Sequence, residues 1–545
     1  MFLTGFAGAG KSTCDKIAQR FCFEFCRSLS IPWHDNTFLF TATTGSAASL
    51  FDGQTIHDAA YLNGKQKNIS NKKRKEWENV RILIIDEISF FTRANLEKLD
   101  RHLKNIKGRQ DRPYGGVSIV FSGNFHQLRP VKCDEHGVLY EGVMNGLFEG
   151  SINTAIILEN SHRFDNDLQF GELLKRLWLG ELTEDDIDLL NTRVVGSNDV
   201  TLPNDGSDAD TCYACPKNKE RNAISAGVFQ EHLWSGLFPC VDSNELPPDH
   251  TILIEADIQS CNSDNNSGKT RVSREIRDRI LSTCGDSQCV TGQSKKVDPC
   301  LRFYPGAHAM CNDNSKLKSD NIGNDTLCRV KCIKLKSNAP PLRWKNWDGF
   351  KVYTTSARYV EWAEFERFPE NDRIKSKKAD ISNLESCMTS DVSEQNISQL
   401  KKMKQELAAL QCSQRFRLSP KTVTAYVNVT LDDSVTYRTE LSGVTMTQLP
   451  INMNDATTGH KLQGMSKDKL IVVSWSFIPN WIYVVLSRVR TLKGLFLLKP
   501  LPANCLEKFR VPRDLQAFER RMRNLESQVI STRERNMAEL RNNVE

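Results

Sequence analysis

The sequence predicts an α/β fold built around a phosphate-binding loop. Gly5-Phe6-Ala7-Gly8-Ala9-Gly10-Lys11-Ser12 has the form GxxxxGK[ST], directly after the apolar Phe2-Leu3-Thr4 and before a helical stretch. Short apolar runs follow at Phe38-Leu39-Phe40, Ile82-Leu83-Ile84-Ile85 and Val117-Ser118-Ile119-Val120-Phe121, the pattern of buried parallel strands. After a polar and then β-rich middle, α/β character resumes over 451–500.

With 545 residues, 39% hydrophobic and 26% charged, the chain can build ordinary cores, which excludes a wholly disordered chain, a collagen and a coiled-coil rod. No stretch approaches the roughly 20 apolar residues of a membrane span, so a soluble protein is expected. Lys+Arg exceed Asp+Glu by 73 − 67 = 6, a mild positive balance that permits a polyanionic partner without demanding one. The 17 cysteines are odd in number and scattered, which reads as reduced thiols in cytosol or nucleus. The apolar start, Met1 to Ala7, lacks a basic head and runs straight into the glycine loop, so no targeting segment is read there.

Taken in order, residues 1–165 read as α/β and 166–250 as helical, then mixed. Residues 256–300 are polar and loop-dominated, and 301–335 return to strand patterns around Tyr304-Pro305-Gly306. Residues 340–445 hold an aromatic start, a polar helix-prone stretch from Glu394 to Leu410 and a β-rich end from Val423 to Val429. Beyond 513 the chain is charged, with Leu515, Phe518, Met522 and Leu525 at helical spacing, which reads as a packed or partner-binding helix.

The chemistry starts at the loop. Its glycines let backbone N–H groups face a β-phosphate, and the helix that follows favours negative charge at its start. Lys11 reaches the β- and γ-phosphates, and Ser12 offers a hydroxyl to Mg²⁺. The strand ending in Asp86-Glu87 places two carboxylates at the carboxyl edge of an open sheet, beside the loop. Asp86 would hold the metal, and Glu87 would orient and polarise the attacking water. A third strand leads into Ser122-Gly123-Asn124-Phe125-His126-Gln127-Leu128-Arg129-Pro130-Val131, where Gln127 can sense a γ-phosphate.

This order of motifs resembles the Pif (petite integration frequency) family of DNA helicases, in the RecD-like branch of superfamily 1. Thr43 to Ala48, then Gly53-Gln54-Thr55-Ile56-His57, resembles its first DNA-contacting motif. Leu158 with Arg163 resembles the motif of its first arginine finger. Thr457-Thr458-Gly459-His460-Lys461-Leu462-Gln463-Gly464 resembles its T-I-H-K-S-Q-G motif, and Tyr483 to Val489 its sixth. Asp298-Pro299, Pro305-Gly306 and Gly323 to Thr326 resemble strand connections of its second motor domain. The Gly459/Leu462 variant resembles the Pif-type and Helitron-like helicases of transposon-rich eukaryotes and large viruses.

The resemblance implies two RecA-like motor domains with a small SH3-like β-barrel inserted in the second. The expected division is 1–163 for the first motor domain, with a small DNA-separating insertion near 50–78. The second follows over 164–338 and 445–512, interrupted by the insertion at 339–444, and 513–545 is a charged helical tail. ATP and Mg²⁺ are the implied cofactors. Gly5, Gly8, Gly10, Lys11, Ser12, Thr13 and Gly464 would bind nucleotide, with Ser12 and Asp86 on the metal. Lys11, Asp86, Glu87, Gln127, Arg163 and Arg488 would be catalytic. Thr44, Ser46, His57, His460 and Lys461 would grip single-stranded DNA. Single strands and forked duplexes are the implied partners, movement is expected 5′-to-3′, and the setting is DNA repair, recombination or telomere maintenance in the nucleus. The alternative is a catalytically impaired or truncated transposon-derived protein that binds single strands without turning over ATP.

Some features depart from the family pattern or stand outside it. Asn124 replaces an Asp of the sensor motif, removing a charge near the metal, and Arg129 replaces a Pro. The family's adenine-recognising segment upstream of the loop has no counterpart here, so either the sequence is truncated or adenine is held less specifically. Lys65-Gln66-Lys67 and Lys72-Lys73-Arg74-Lys75 form a basic patch that reads as phosphate contact, nuclear import or a solvated face. Trp344, Trp347, Tyr353, Tyr359 and Trp362 read chiefly as barrel core, with base stacking the rival. Cys212/Cys215 and Cys284/Cys289 lack second halves at zinc spacing.

Overall fold

The computed structural model describes residues 1–34, 36–49, 53–62, 70–130, 137–140, 146–203, 211–235, 251–260, 277–278, 280–281, 290–291, 298–314, 322–347, 349–367, 381, 400, 403–407, 414–433 and 436–542. The chain divides into two compact units. The first comprises Met1–Asn204, Asn314–Gly323 and Thr458–Glu545, and the second Asp205–Asp313 and Asn324–Thr457.

The first unit opens with β1 (Phe2–Gly5), α1 (Lys11–Ser28), β2 (Phe38–Ala42), α2 (Gly45–Ser49), β3 (Gln54–Thr55), α3 (Ile56–Ala59), α4 (Asn71–Trp77) and β4 (Ile82–Asp86). It continues through α5 (Arg93–Lys107), β5 (Ser118–Ser122), α6 (Leu147–Ser151), β6 (Ala155–Leu158), α7 (Leu168–Leu179) and α8 (Glu184–Asn191). The six strands form one sheet in the order β3-β2-β4-β5-β1-β6, and every pairing is parallel. A parallel sheet covered on both faces needs continuous apolar strands. In β4, Leu83, Ile84 and Ile85 are accordingly fully buried.

Capping fixes the helices locally. Thr92 accepts from the Asn95 N–H at the start of α5, and Gly108 closes its end in the left-handed region. Leu96, Leu99, Leu103 and Ile106 give that helix its buried face. Thr183 and Asp186 form a reciprocal capping box on α8. By contrast, α1 carries Ile17, Phe21 and Phe25 exposed at four-residue spacing, with exposed Leu29 as its C-cap.

The C-terminal part of the first unit adds a short helix (Gly459–Leu462) and a strand (Lys469–Val472) parallel to Leu495–Leu497. A fully buried helix (Trp481–Leu486) and the tail helix (Arg513–Asn542) complete it. In the tail helix, Leu515, Phe518 and Met522 join the core formed by Phe2, Phe121, Phe125, Phe148 and the buried face of α5.

The second unit holds a helix (Asn218–Ser235) and mostly antiparallel strands. Arg343–Trp347 and Phe350–Ser356 form a hairpin, and the latter strand pairs in parallel with Ile252–Glu255. Val360–Arg367 lies between Leu327–Leu335 and Arg415–Leu418. Lys421–Asp433 and Thr436–Gln448 form a long hairpin that contains the β-rich stretch read from the sequence. The aromatic group expected to form one core is split between two sheets. Trp344 and Trp347 lie on the first hairpin, and Trp362 lies in the five-stranded sheet under the Arg417 guanidinium. Trp344 is 58% exposed, so it is not core. No described helix is long and apolar enough to cross a membrane.

Candidate nucleotide site

β1, β4 and β5 are neighbours through the centre of the first sheet, so their carboxyl ends bring the phosphate loop, Asp86-Glu87 and the segment after Ser122 together. In the loop, Gly8 and Gly10 have φ of 79° and 86°. A β-carbon on Gly8 would lie 2.5 Å from the Arg163 β-carbon, so only glycine fits. The segment after β6 wraps this turn: the His162 N–H donates to Gly8 O (3.1 Å) and Ser161 Oγ to Ala7 O (2.7 Å). From the far end of the chain, the Tyr483 hydroxyl accepts from the Ala7 N–H (3.2 Å).

Lys11 donates to Gly5 O and Phe6 O, each at 3.2 Å, which holds its ammonium over the loop. Ser12 Oγ lies 3.5 Å from Asp86 Oδ2. Asp86 is buried, which raises its carboxyl above the usual range, although the Glu87 N–H donates to it at 2.9 Å. Burial and the adjacent Asp86 likewise raise Glu87. Glu87 itself sits in the left-handed region, at φ 55°. Thr13 is exposed at the start of α1.

Arg163 donates through Nη1 to Ser487 O (2.8 Å). Arg488 donates to Val484 O (2.7 Å), Met465 O (3.2 Å) and Ser487 Oγ (2.7 Å). Burial lowers the pKa of both, and for Arg163 the neighbouring Arg488 adds to the effect. Lys11 is also lowered by burial, with Arg163 and Arg488 contributing. Two arginines close enough to lower the pKa of Lys11, together with that lysine, fit a polyanion such as a triphosphate. Asp15, one turn along α1 from Lys11, is buried with Oδ2 lacking a hydrogen-bond partner. Burial, then Asp86, push its carboxyl up to about 7.

The centre of the site is a side chain that the motif reading passed over. Gln463 Nε2 has three acceptors in reach of its two N–H groups, Glu87 Oε2 (3.1 Å), Ser89 Oγ (3.2 Å) and Gln127 Oε1 (2.7 Å), while its Oε1 accepts from the Leu128 N–H (3.3 Å). A β-carbon at Gly464 would sit 3.7 Å from Glu87 Oε1, so that glycine faces the same carboxylate. Gly459 makes room for Trp481, whose Nε1 would lie 2.5 Å from an added β-carbon. Asn124 donates to Gly5 O (3.1 Å), a bond an ionised Asp could not make.

Of the residues expected to touch DNA, His57 meets Phe91 edge-on (centroids 5.7 Å apart) and His460 approaches Phe90 (6.5 Å), so two consecutive aromatics link them. Burial lowers the pKa of both imidazoles. Lys461 lies in the same short helix as His460. Thr44 accepts from the Ala47 N–H at the start of α2, and its neighbour Thr43 donates to Glu87 O at 2.8 Å. The Ser46 side chain, Lys65, Gln66, Lys67, the Lys73 side chain, Val131, Cys284 and Cys289 lie outside the described residues. Cys212 and Cys215 are buried on the strand Thr211–Cys215, and no three metal-ligating groups converge among the described residues.

Sheet, loop and paired carboxylates together form the arrangement of a P-loop α/β fold. Residues 1–140 match the family model described as PIF1-like helicase. The ATP-dependent DNA helicase PIF1 of Saccharomyces cerevisiae is 30% identical over 194 residues, covering 34% of this chain and 22% of that protein. The ATP-dependent DNA helicase RRM3 of the same species is 33% identical over 195 residues, 34% of this chain and 26% of that protein. The matched stretch thus spans about a quarter of these relatives' length. Among solved structures, a Bacteroides Pif1 helicase in complex with ADP-AlF3 and single-stranded DNA aligns with a TM-score of 0.58 at 19% identity, over 96% of this chain and 93% of that one. The Candida albicans Pif1 helicase aligns at 0.56 and 19%, over 96% and 95%. The resemblance read in the motifs is matched by this similarity to the PIF1-like helicases over residues 1–140, and the α/β fold is similar to that of the solved Pif1 helicases.

Proposed function

We propose that this chain is an ATP-dependent DNA helicase that couples ATP hydrolysis to movement along single-stranded DNA and to strand separation. The carrying observation is the Gln463 amide nitrogen, which lies within hydrogen-bond distance of Glu87, Ser89 and Gln127. Gln463 lies two residues from Lys461 and three from His460, so one short segment connects the hydrolytic carboxylate and the sensor with the candidate DNA contacts.

In this reading Gly5, Gly8, Gly10, Lys11, Ser12, Thr13 and Gly464 bind ATP, and Ser12 with Asp86 holds Mg²⁺. The bonding of Ser12 to Asp86, and the partnerless Asp15 oxygen beside them, supports a cation here. Bound Mg²⁺ supplies charge neutralisation on the phosphates. Glu87 orients the attacking water and accepts its proton, and its raised pKa suits that task. Gln127 senses the γ-phosphate, and Arg488 and Arg163 stabilise charge as it is transferred.

The site then lies between the first motor domain, 1–163, and the closing part of the second, 445–512. The part between them, 164–338, continues the second motor domain. Residues 339–444 form the SH3-like insertion, 50–78 include the DNA-separating element, and 513–545 form the tail. Thr44, Ser46, His57, His460 and Lys461 grip single strands, forked duplexes are the substrates, and translocation runs 5′-to-3′. Genome maintenance in the nucleus is the proposed setting. Steady-state ATPase with and without single-stranded DNA tests the proposal. Stimulation by DNA supports it, whereas DNA binding with no turnover in either condition supports a passive binder instead.

A further inference from the structure

The sensor loop is held from several sides. Asn480 Nδ2 donates to Phe125 O (3.2 Å) and Gln127 O (3.0 Å), and the Leu128 N–H reaches Gln463 Oε1 (3.3 Å). Between them sits His126, which is only 4% exposed. Its N–H donates to Asn124 Oδ1 (2.8 Å), and its Nε2 lies 2.6 Å from Glu519 Oε1 in the tail helix. The ring also packs on Trp178 (centroids 4.1 Å apart), which in turn meets Phe6 of the phosphate loop (4.4 Å).

Three further contacts hold the tail helix in place. Phe518 packs among Phe2, Phe125 and Phe148, with centroids 5.5 to 5.9 Å away. Glu526 Oε1 accepts from the Ile157 N–H (2.6 Å) on β6, the edge strand of the sheet. Arg521 pairs with Glu149. These contacts suffice to anchor the helix. The Glu519–His126 bond adds a half-buried polar pair, which is a poor source of stability compared with apolar packing. What the pair does supply is a fixed position for the residue next to Gln127.

We propose that Glu519 is a positioning residue for the γ-phosphate sensor: the tail helix, through His126, holds the Gln127 loop in its working geometry. This rests on the reading of the site as an ATP motor. The test uses the full chain and its Glu519→Ala, Glu519→Gln and Phe518→Ala variants. Affinities for ADP and for a non-hydrolysable ATP analogue are measured, together with kcat and KM for ATP. In Glu519→Ala, ADP affinity should stay at the parental value, while kcat and the preference for the analogue each fall about tenfold, the effect of losing one charge-assisted hydrogen bond. Glu519→Gln keeps an acceptor and should recover most of both. Phe518→Ala should lower the unfolding midpoint with the preference intact. A parental preference and kcat in Glu519→Ala, or the same loss of preference in Phe518→Ala, would overturn the proposal. A parent chain that binds neither nucleotide would overturn the motor reading with it.

Discussion

The Gln463 side chain donates to the Glu87 carboxylate at 3.1 Å, joining residues 376 apart in sequence. The same amide nitrogen reaches Gln127 Oε1 at 2.7 Å, so the residues proposed as catalytic carboxylate and sensor have one common partner. Gln463→Ala removes both bonds and leaves half-buried Glu87 and buried Gln127 with fewer partners. DNA-stimulated kcat should fall about 10- to 100-fold, the equivalent of one lost bond to a charged group. ATPase assays at saturating DNA check this.

Lys11→Ala and Glu87→Gln address hydrolysis. In the proposed mechanism the first removes the cation from the transferred phosphate, and the second removes the base while keeping the shape. Both should abolish DNA-stimulated turnover, because phosphoryl transfer depends on positioning and charge. Glu87→Gln should still bind ATP in a direct titration. Parental turnover in that variant would move the base elsewhere.

Arg488→Lys keeps a charge but loses the planar fork that serves Val484 O, Met465 O and Ser487 Oγ. Turnover should fall by about 10³ or more if Arg488 is a finger, with a much smaller change in nucleotide affinity. Single-turnover hydrolysis beside equilibrium nucleotide binding separates the two effects.

How much of this was legible in the sequence follows from where each contact originates. The phosphate loop, Asp86-Glu87 and Gln127 are each contiguous with a strand end, and a parallel sheet brings strand ends together. Gln463 and Tyr483 lie within recognised motifs, but their roles arise from partners more than 300 residues away. The tail showed its apolar spacing at Leu515, Phe518 and Met522, yet nothing local to Glu519 indicates His126. Aromatic clustering likewise could not tell which sheet face Trp344 occupies. Gly459, read as a subgroup variant, also has a packing reason in Trp481.

Asp15 predicts a pH effect on stability. Its carboxyl is pushed from an ordinary value of 3.8 to about 7 in the folded chain. Between those values the folded state binds a proton that the unfolded state has released. Stability therefore falls as pH rises from about 4 to about 7, then levels off. Asp15→Asn cannot ionise, so its stability relative to the parent should grow across that window, by on the order of 2–4 kcal/mol. Urea midpoints of both proteins from pH 5 to 8 check this, and a constant difference between them would contradict it.

The central claim is that nucleotide and DNA sites are coupled through the segment from His460 to Gly464. Coupling in binding free energy is reciprocal. The most direct measurement is single-stranded DNA affinity at one fixed salt concentration without nucleotide, with ADP and with a non-hydrolysable ATP analogue, beside analogue affinity with and without DNA. The account predicts different DNA affinities in the three states, and a change in analogue affinity by the same factor when DNA is present. Identical DNA affinities in all three states would contradict it.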